Sequence, residues 1–123
     1  MFDSQLEWTN EWIEKDVRNN SVWNFRFWVL DHVDFDVETE VKFVMDWIDR
    51  VPGNESTWNY LLGLTKKYKL SPLEKHSTVP ALQYQLEFAD SEKKHTELKT
   101  KLMNLDPIRK SFYSTLDYSS FGQ

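Results

Sequence analysis

Cysteine is absent from the 123 residues, which excludes disulfides, thiolate metal sites and a cysteine nucleophile and suits a reducing compartment. Glycine numbers three and proline four, too little turn chemistry for an all-β sandwich or barrel, so the composition leans helical. No run approaches the roughly 18 to 20 consecutive apolar residues that span a bilayer. The start, Met1-Phe2-Asp3-Ser4-Gln5, lacks the basic and then apolar stretch of a secretory leader. The expectation is a soluble, cytoplasmic chain without membrane insertion, on which Asn19-Asn20-Ser21 and Asn54-Glu55-Ser56 are helix starts rather than glycosylation sites. Positive charge is also short. Fifteen basic against 20 acidic side chains leave a net charge of -5, so nucleic acid is not an expected partner.

Aromatic surface and acid are abundant. The chain carries six tryptophans, five tyrosines and eight phenylalanines, and every tryptophan falls between Trp8 and Trp58. Acidic side chains dominate residues 1–50 and lysine is richer after them, which predicts two zones of different packing demand. The helix-breaking pairs Ser71-Pro72, Ser77-Thr78 and Val79-Pro80 mark a boundary, giving 1–70 and 71–123 as the expected regions.

Periodicity predicts helices in pairs. Ser4-Gln5-Leu6-Glu7 has the form of a capping box. It starts a helix expected to reach Val17, with Leu6, Thr9, Ile13 and Val17 on one face and Trp8 and Trp12 beside it. A second helix, over 21–30, is apolar nearly all round and so expected between neighbours. Val37, Val41, Val44, Ile48 and Val51 mark a third, whose acidic first turn of Asp36, Glu38 and Glu40 suits the positive end of a helix dipole. The fourth, over 55–68 with Asn54 as N-cap, turns Trp58, Leu61, Leu62 and Thr65 inward. Shorter patterns place helices over 80–88, 91–104 and 107–116.

The second and fourth helices repeat each other. Arg18-Asn19-Asn20-Ser21-Val22-Trp23-Asn24 aligns with Gly53-Asn54-Glu55-Ser56-Thr57-Trp58-Asn59 at a shift of 35, matching Asn, Ser, Trp and Asn. Units of this size are paired helices that stack sideways over a shared core. The expected fold class is all-α, antiparallel helical hairpins stacked as an α-α superhelix of the tetratricopeptide-like kind. In each copy an Asn or Ser should cap the inner helix and the Trp should plug the joint between hairpins. The Asn after the Trp is expected to bond backbone there.

The runs Asp16-Val17-Arg18-Asn19-Asn20-Ser21-Val22-Trp23-Asn24-Phe25-Arg26 and Val51-Pro52-Gly53-Asn54-Glu55-Ser56-Thr57-Trp58-Asn59-Tyr60-Leu61 closely resemble successive repeats of the alpha subunit shared by protein farnesyltransferase and protein geranylgeranyltransferase type I. The resemblance covers about residues 5–70 and the tail Asp106-Pro107-Ile108-Arg109-Lys110-Ser111-Phe112-Tyr113, with 71–105 shortened. In that family the alpha subunit is a crescent of hairpins around a separate beta subunit, an α-α barrel that holds zinc and most of the isoprenoid pocket. The resemblance therefore implies a beta-subunit partner in a heterodimer, zinc on that partner and no cofactor on this chain. It implies CaaX protein substrates through the complex, with a farnesyl or geranylgeranyl group joined to the CaaX cysteine, and further repeats ahead of the one near Leu6. The family's Lys-Asn-Tyr and Tyr-His signatures, which reach the prenyl diphosphate and the peptide, meet Arg18-Asn19-Asn20-Ser21 and Gly53-Asn54-Glu55-Ser56 here. Neither copy has the Lys, Tyr or His. No catalytic residue is carried over, and the chain alone is expected to be inactive. Arg18, Asn19, Asn20, Asn24, Arg26, Asn54, Glu55, Asn59 and Tyr60 are the expected partner-binding residues.

Other constellations have blander explanations. Asp34, Asp36, Glu38 and Glu40 alternate as in a calcium loop, but Thr39 and Met45 stand where the loop needs Gly and Glu. His32, His76 and His95 are far apart and none stands at i, i+4 from another, so surface or interface histidines are expected rather than a zinc site or triad. Arg18 and Arg26 flank Trp23 and have the chemistry to clamp a diphosphate, yet Arg26 is expected to bond carbonyls or carboxylates at the joint between hairpins, such as those of Asp16 or Glu55. Lys66-Lys67, Lys69 and Lys93-Lys94 are expected to be solvated. Trp8, Trp12, Phe25, Trp28, Phe43 and Trp47 exceed what one small core hides, so some should face a neighbour. The alternative function is a stand-alone tetratricopeptide-like protein-binding module without enzymatic activity.

Overall fold

Side-chain caps set several helix starts in the computed structural model, which describes residues 2–118. Seven α-helices run in order: α1 (Phe2–Lys15), α2 (Asn20–Val29), α3 (Val37–Arg50), α4 (Glu55–Lys67), α5 (Val79–Glu87), α6 (Glu92–Leu105) and α7 (Lys110–Ser114). Short 3-10 turns follow α2 at Leu30–His32 and precede α7 at Pro107–Arg109. Among the described residues there is no strand, and no helix is long and apolar enough to cross a membrane.

Asn19 caps α2, its Oδ1 accepting from the Val22 N–H at 3.3 Å. Asn54 caps α4 in the same way from Ser56 N–H at 3.1 Å. Asp36 starts α3 by accepting from both the N–H and the hydroxyl of Thr39, so this acid is a cap and not part of a cation loop. Two expectations at α1 are corrected. The helix begins at Phe2, which places Ser4 inside the first turn, where it cannot cap. It ends at Lys15 rather than Val17, because the chain turns there and frees the Val17 carbonyl for the Trp23 indole N–H and the Asn54 amide, both at 2.9 Å. Lys69, just past α4, adopts φ 53 and lets the Leu70 N–H reach back to the Thr65 carbonyl at 3.0 Å.

Two units divide between Ser71 and Pro72. In the first, α1 pairs with α2 and α3 with α4, and α2 also packs on α4. Gly63 permits that approach, since a Cβ there would lie 3.1 Å from the Phe27 ring. The core holds Ile13, Val22, Trp23, Val29, Leu30, Val44, Ile48, Trp58, Leu61 and Leu64. Its two largest members are equivalent in the repeat: the Trp23 indole donates to Val17 and the Trp58 indole to Pro52, each a carbonyl six residues back at 2.9 Å. Leu62 is only half-buried, a departure from its expected inward role.

The second unit gathers Leu82, Ala89, Leu98, Leu102 and Tyr113 into a core from α5, the turn after it, α6 and α7. Ser91 caps α6, accepting from Lys94 N–H at 3.2 Å. The expected single helix over 107–116 is divided, a 3-10 turn leading into a short α7. Asp106 organises that turn, accepting from the Tyr113 hydroxyl at 2.7 Å and from Arg109 Nη1 at 2.8 Å. These two bonds, Tyr113 first, hold the Asp106 carboxyl below its ordinary value.

Trp23→Ala and Trp58→Ala should each lower unfolding free energy by about 3–5 kcal/mol, read by urea denaturation, and a loss too small to measure for either would contradict their role as plugs. A carboxyl held low stabilises the fold fully above pH about 4 and loses that contribution as pH falls through its folded value. Asp106→Ala should therefore be less stable at neutral pH and lose less on further acidification than the parent. Parallel stability–pH curves for the two proteins would contradict this.

Candidate functional site

Helix α2 presents Arg26 inward one turn after Trp23, and the side chain is buried among the other three helices of its unit. Its Nε and Nη2 donate to the two carboxylate oxygens of Glu40 in α3 at 2.7 and 2.8 Å. Nη1 donates to Thr9 Oγ1 at 2.9 Å and Asn10 Oδ1 at 2.5 Å in α1. The guanidinium lies 4.0 Å from the centre of the Phe43 ring. From α4 the Tyr60 hydroxyl donates to the same Glu40 Oε2. One ion pair thus joins all four helices.

The protonation states follow from this geometry. Burial alone lowers the Arg26 pKa, but the hydrogen bonds and charge of Glu40, with Tyr60 adding to them, leave it raised. Burial, and then the Glu40 carboxylate, push the Tyr60 phenol far up, so it remains a donor. The cluster is a fixed structural charge pair rather than an acid–base device. Glu40 replaces Asp16 and Glu55 as the partner of Arg26. Those two acids are exposed at the helix-start end of the unit, whereas Arg26 faces the first turn of α3.

The expected partner-binding residues separate into two groups. Arg26, Asn54 and Tyr60 are buried and Asn19 is half-buried; they hold the joint. Arg18, Asn20, Asn24, Glu55 and Asn59 are exposed at the starts and along the outer faces of α2 and α4. The starts of α2 and α4 are locked to each other: Asn54 Nδ2 donates to the Val17 carbonyl at 2.9 Å and Ser56 Oγ to the Arg18 carbonyl at 3.3 Å. Asn24 and Asn59 do not enter the joint as expected. The backbone bond across it belongs to Asn54, because the Asn after each Trp points away from the buried stripe.

Glu40, Thr9 and Asn10 are the residues that sequence reasoning missed. A signal was present for Glu40, which stands four residues before Val44 and eight before Ile48 on the buried stripe of α3. An acid on such a stripe demands a buried partner.

Beside this joint, Trp8, Trp12, Asn19, Ser21, Val22 and Phe25 line an open groove of about 380 Å³. Trp8, Trp12 and Trp28 remain 45%, 40% and 49% exposed, in keeping with the aromatic excess. His32 stacks on Phe2 at 4.5 Å. His95 is buried in the second unit, with its pKa lowered by desolvation and then by Lys99. Among the described residues no group of three or more His, Cys, Asp or Glu is placed to hold a metal.

Comparison with known proteins matches residues 2–33 and 37–68 to the protein prenyltransferase alpha subunit repeat. Each match begins at an outer helix and ends just beyond an inner one, as the hairpins do. A solved chain of Candida albicans protein geranylgeranyltransferase-I, complexed with GGPP, superposes with a TM-score of 0.74 at 28% identity. The match covers 90% of this chain and 44% of that one, so the chain spans less than half the length of that relative. No curated protein sequence matches.

Glu40→Ala leaves the Arg26 guanidinium buried without its carboxylate, which should lower unfolding free energy by about 3–5 kcal/mol. The double variant Arg26→Met with Glu40→Leu leaves no buried charge and should lose less than Glu40→Ala alone. Urea denaturation followed by tryptophan fluorescence checks both. A double variant less stable than the single one would contradict the assignment.

Proposed function

Because this chain belongs to the protein prenyltransferase alpha subunit repeat family, we propose that it supplies alpha-subunit scaffold to a heterodimeric protein prenyltransferase. The observation that supports this most is the duplicated joint, in which an Asn cap and a buried Trp recur at the same places in both hairpins. Such a joint makes a rigid surface. The chain's part is then to position a catalytic partner, the beta subunit, and through it CaaX protein substrates that accept a farnesyl or geranylgeranyl group. Arg18, Asn20, Asn24, Glu55 and Asn59 are the side chains we assign to that partner, held in register by Asn19, Arg26, Asn54 and Tyr60.

Zinc belongs to the beta subunit on this proposal. The described residues of this chain do not fit a zinc site. The assignment also places the chain in the cytoplasm, where the acceptor cysteines are made.

The proposal is tested by co-expression with a prenyltransferase beta subunit, followed by size-exclusion chromatography with light scattering. The two chains should co-elute as a one-to-one complex, and Glu55→Lys together with Asn24→Lys should weaken it. The purified chain alone, given either prenyl diphosphate, zinc and a CaaX peptide, should transfer nothing. Separate elution of the two chains, or turnover by the isolated chain, would overturn the proposal, and separate elution would favour an independent binding module.

A further inference from the structure

The second unit ends in a corner whose side chains are sorted to opposite sides. On the inner side the Tyr113 hydroxyl donates to Asp106 and accepts from Gln83 Nε2 at 2.9 Å. On the outer side stand Leu105, Ile108 and Phe112. Ile108 is 94% exposed, and Leu105 and Phe112 are each more than half exposed. Ile108 and Phe112 are four residues apart on the path from the 3-10 turn into α7, and Leu105 ends α6 just before it. Large apolar side chains gathered on a fixed turn mark a surface that meets something.

Two features say what it meets. The first is charge. Residues 97–115 hold four basic side chains, Lys99, Lys101, Arg109 and Lys110, against two acids, Glu97 and Asp106, a balance of +2 in a chain whose balance is -5. Arg109 pairs with Asp106, while Lys101 and Lys110 are exposed, one a turn before Leu105 and the other between Ile108 and Phe112. The second is the closure of polar groups. Ser114 Oγ and Thr115 Oγ1 donate back to the Ser111 and Phe112 carbonyls at 2.7 Å each. The Arg109 and Thr115 N–H groups bond the Asp106 and Phe112 carbonyls at 3.1 Å each, and Pro107 carries no N–H. A protein interface draws on open donors and acceptors, about one hydrogen bond per 100–200 Å². Here the polar groups of the turn are closed on one another, the apolar side chains are outermost and lysines stand at the rim, an arrangement suited to the boundary layer of a bilayer.

We propose that this corner docks on an anionic lipid surface. Leu105, Ile108 and Phe112 enter the boundary between headgroups and acyl chains. Lys101 and Lys110 lay their alkyl stems along it and keep their ammonium groups among the lipid phosphates. The chain lies on the bilayer and does not cross it, in keeping with the lack of a spanning helix among the described residues. The contact uses no beta subunit, so its outcome is separate from that of the enzyme reading.

Flotation of the full chain with vesicles of phosphatidylcholine, with and without phosphatidylserine, tests this. The chain should float with the anionic vesicles only, and less so as salt is raised. Lys101→Gln with Lys110→Gln should weaken partitioning about 30-fold, at about 1 kcal/mol per lysine, and Ile108→Glu with Phe112→Glu should abolish it. All four side chains are exposed, so the variants should keep the parent's circular dichroism and Tm. Because the chain has no cysteine, a polarity-sensitive dye on Ile108→Cys reports insertion at that point. Its emission should shift to the blue with anionic vesicles, while the same dye on Glu11→Cys, beside the exposed Trp8 and Trp12, should not move. No binding to anionic vesicles, equal binding by the Ile108→Glu, Phe112→Glu variant, or a blue shift at Glu11→Cys in place of Ile108→Cys would overturn the proposal. So would shielding of the Ile108→Cys dye by a beta subunit with none from vesicles, which would make a protein the occupant.

Discussion

A guanidinium and a carboxylate removed from water together set the arrangement of the first unit. Arg26 and Glu40 would each be costly to bury alone. Their two-point contact, the Tyr60 hydroxyl and the acceptors Thr9 and Asn10 satisfy most of what burial strips away. Together these groups come from all four helices of the unit. Sliding any one helix by a turn would leave a buried donor or acceptor unpaired, so the cluster specifies the register of all four while the apolar core supplies the bulk of the stability. The indoles of Trp23 and Trp58 act at the same joints by a second, local device, filling space and bonding a turn carbonyl.

The repeat makes this arrangement directional. Glu40 reaches backward to the first hairpin, and Gln5 stands in the same place one period earlier with its oxygen buried and unpaired. The second hairpin thus receives α2 and the turn before it through Glu40, Asn54 and Ser56. The side chains of Arg18, Asn20, Asn24, Glu55 and Asn59 are exposed. The second unit uses other chemistry, an Asp106 carboxylate that gathers Tyr113 and Arg109 around a 3-10 turn.

Much of the fold was legible because caps and breakers are local. Asn19 and Asn54 announce their helices within three residues of sequence, and the period of 35 discloses the hairpin pairing. Ser4 misled for the same reason: Ser-x-x-Glu is also an ordinary solvent-facing pattern within a first turn, and nothing local distinguishes the two. The tail misled because Pro107 opens a 3-10 turn before the α-helix, a choice settled by the side-chain bonds of Asp106. The partner of Arg26 was not legible from nearby acids, since it depends on the rotation of α3 against α2. Only the placement of Glu40 on the stripe with Val44 and Ile48 carried a hint. Asn24 and Asn59 recur with the Trp and invited a role in the joint, yet repetition does not reveal on which side of a helix a polar residue acts.

The central claim is that one buried ion pair makes α1, α2, α3 and α4 a single cooperative body. Native-state hydrogen exchange of the full chain, followed residue by residue as denaturant is raised, measures this directly. The account predicts that the slowest amides of all four helices converge on one opening free energy, and that with Arg26→Met those of α1 and α2 separate from those of α3 and α4. Independent opening of the two hairpins in the parent protein would contradict it.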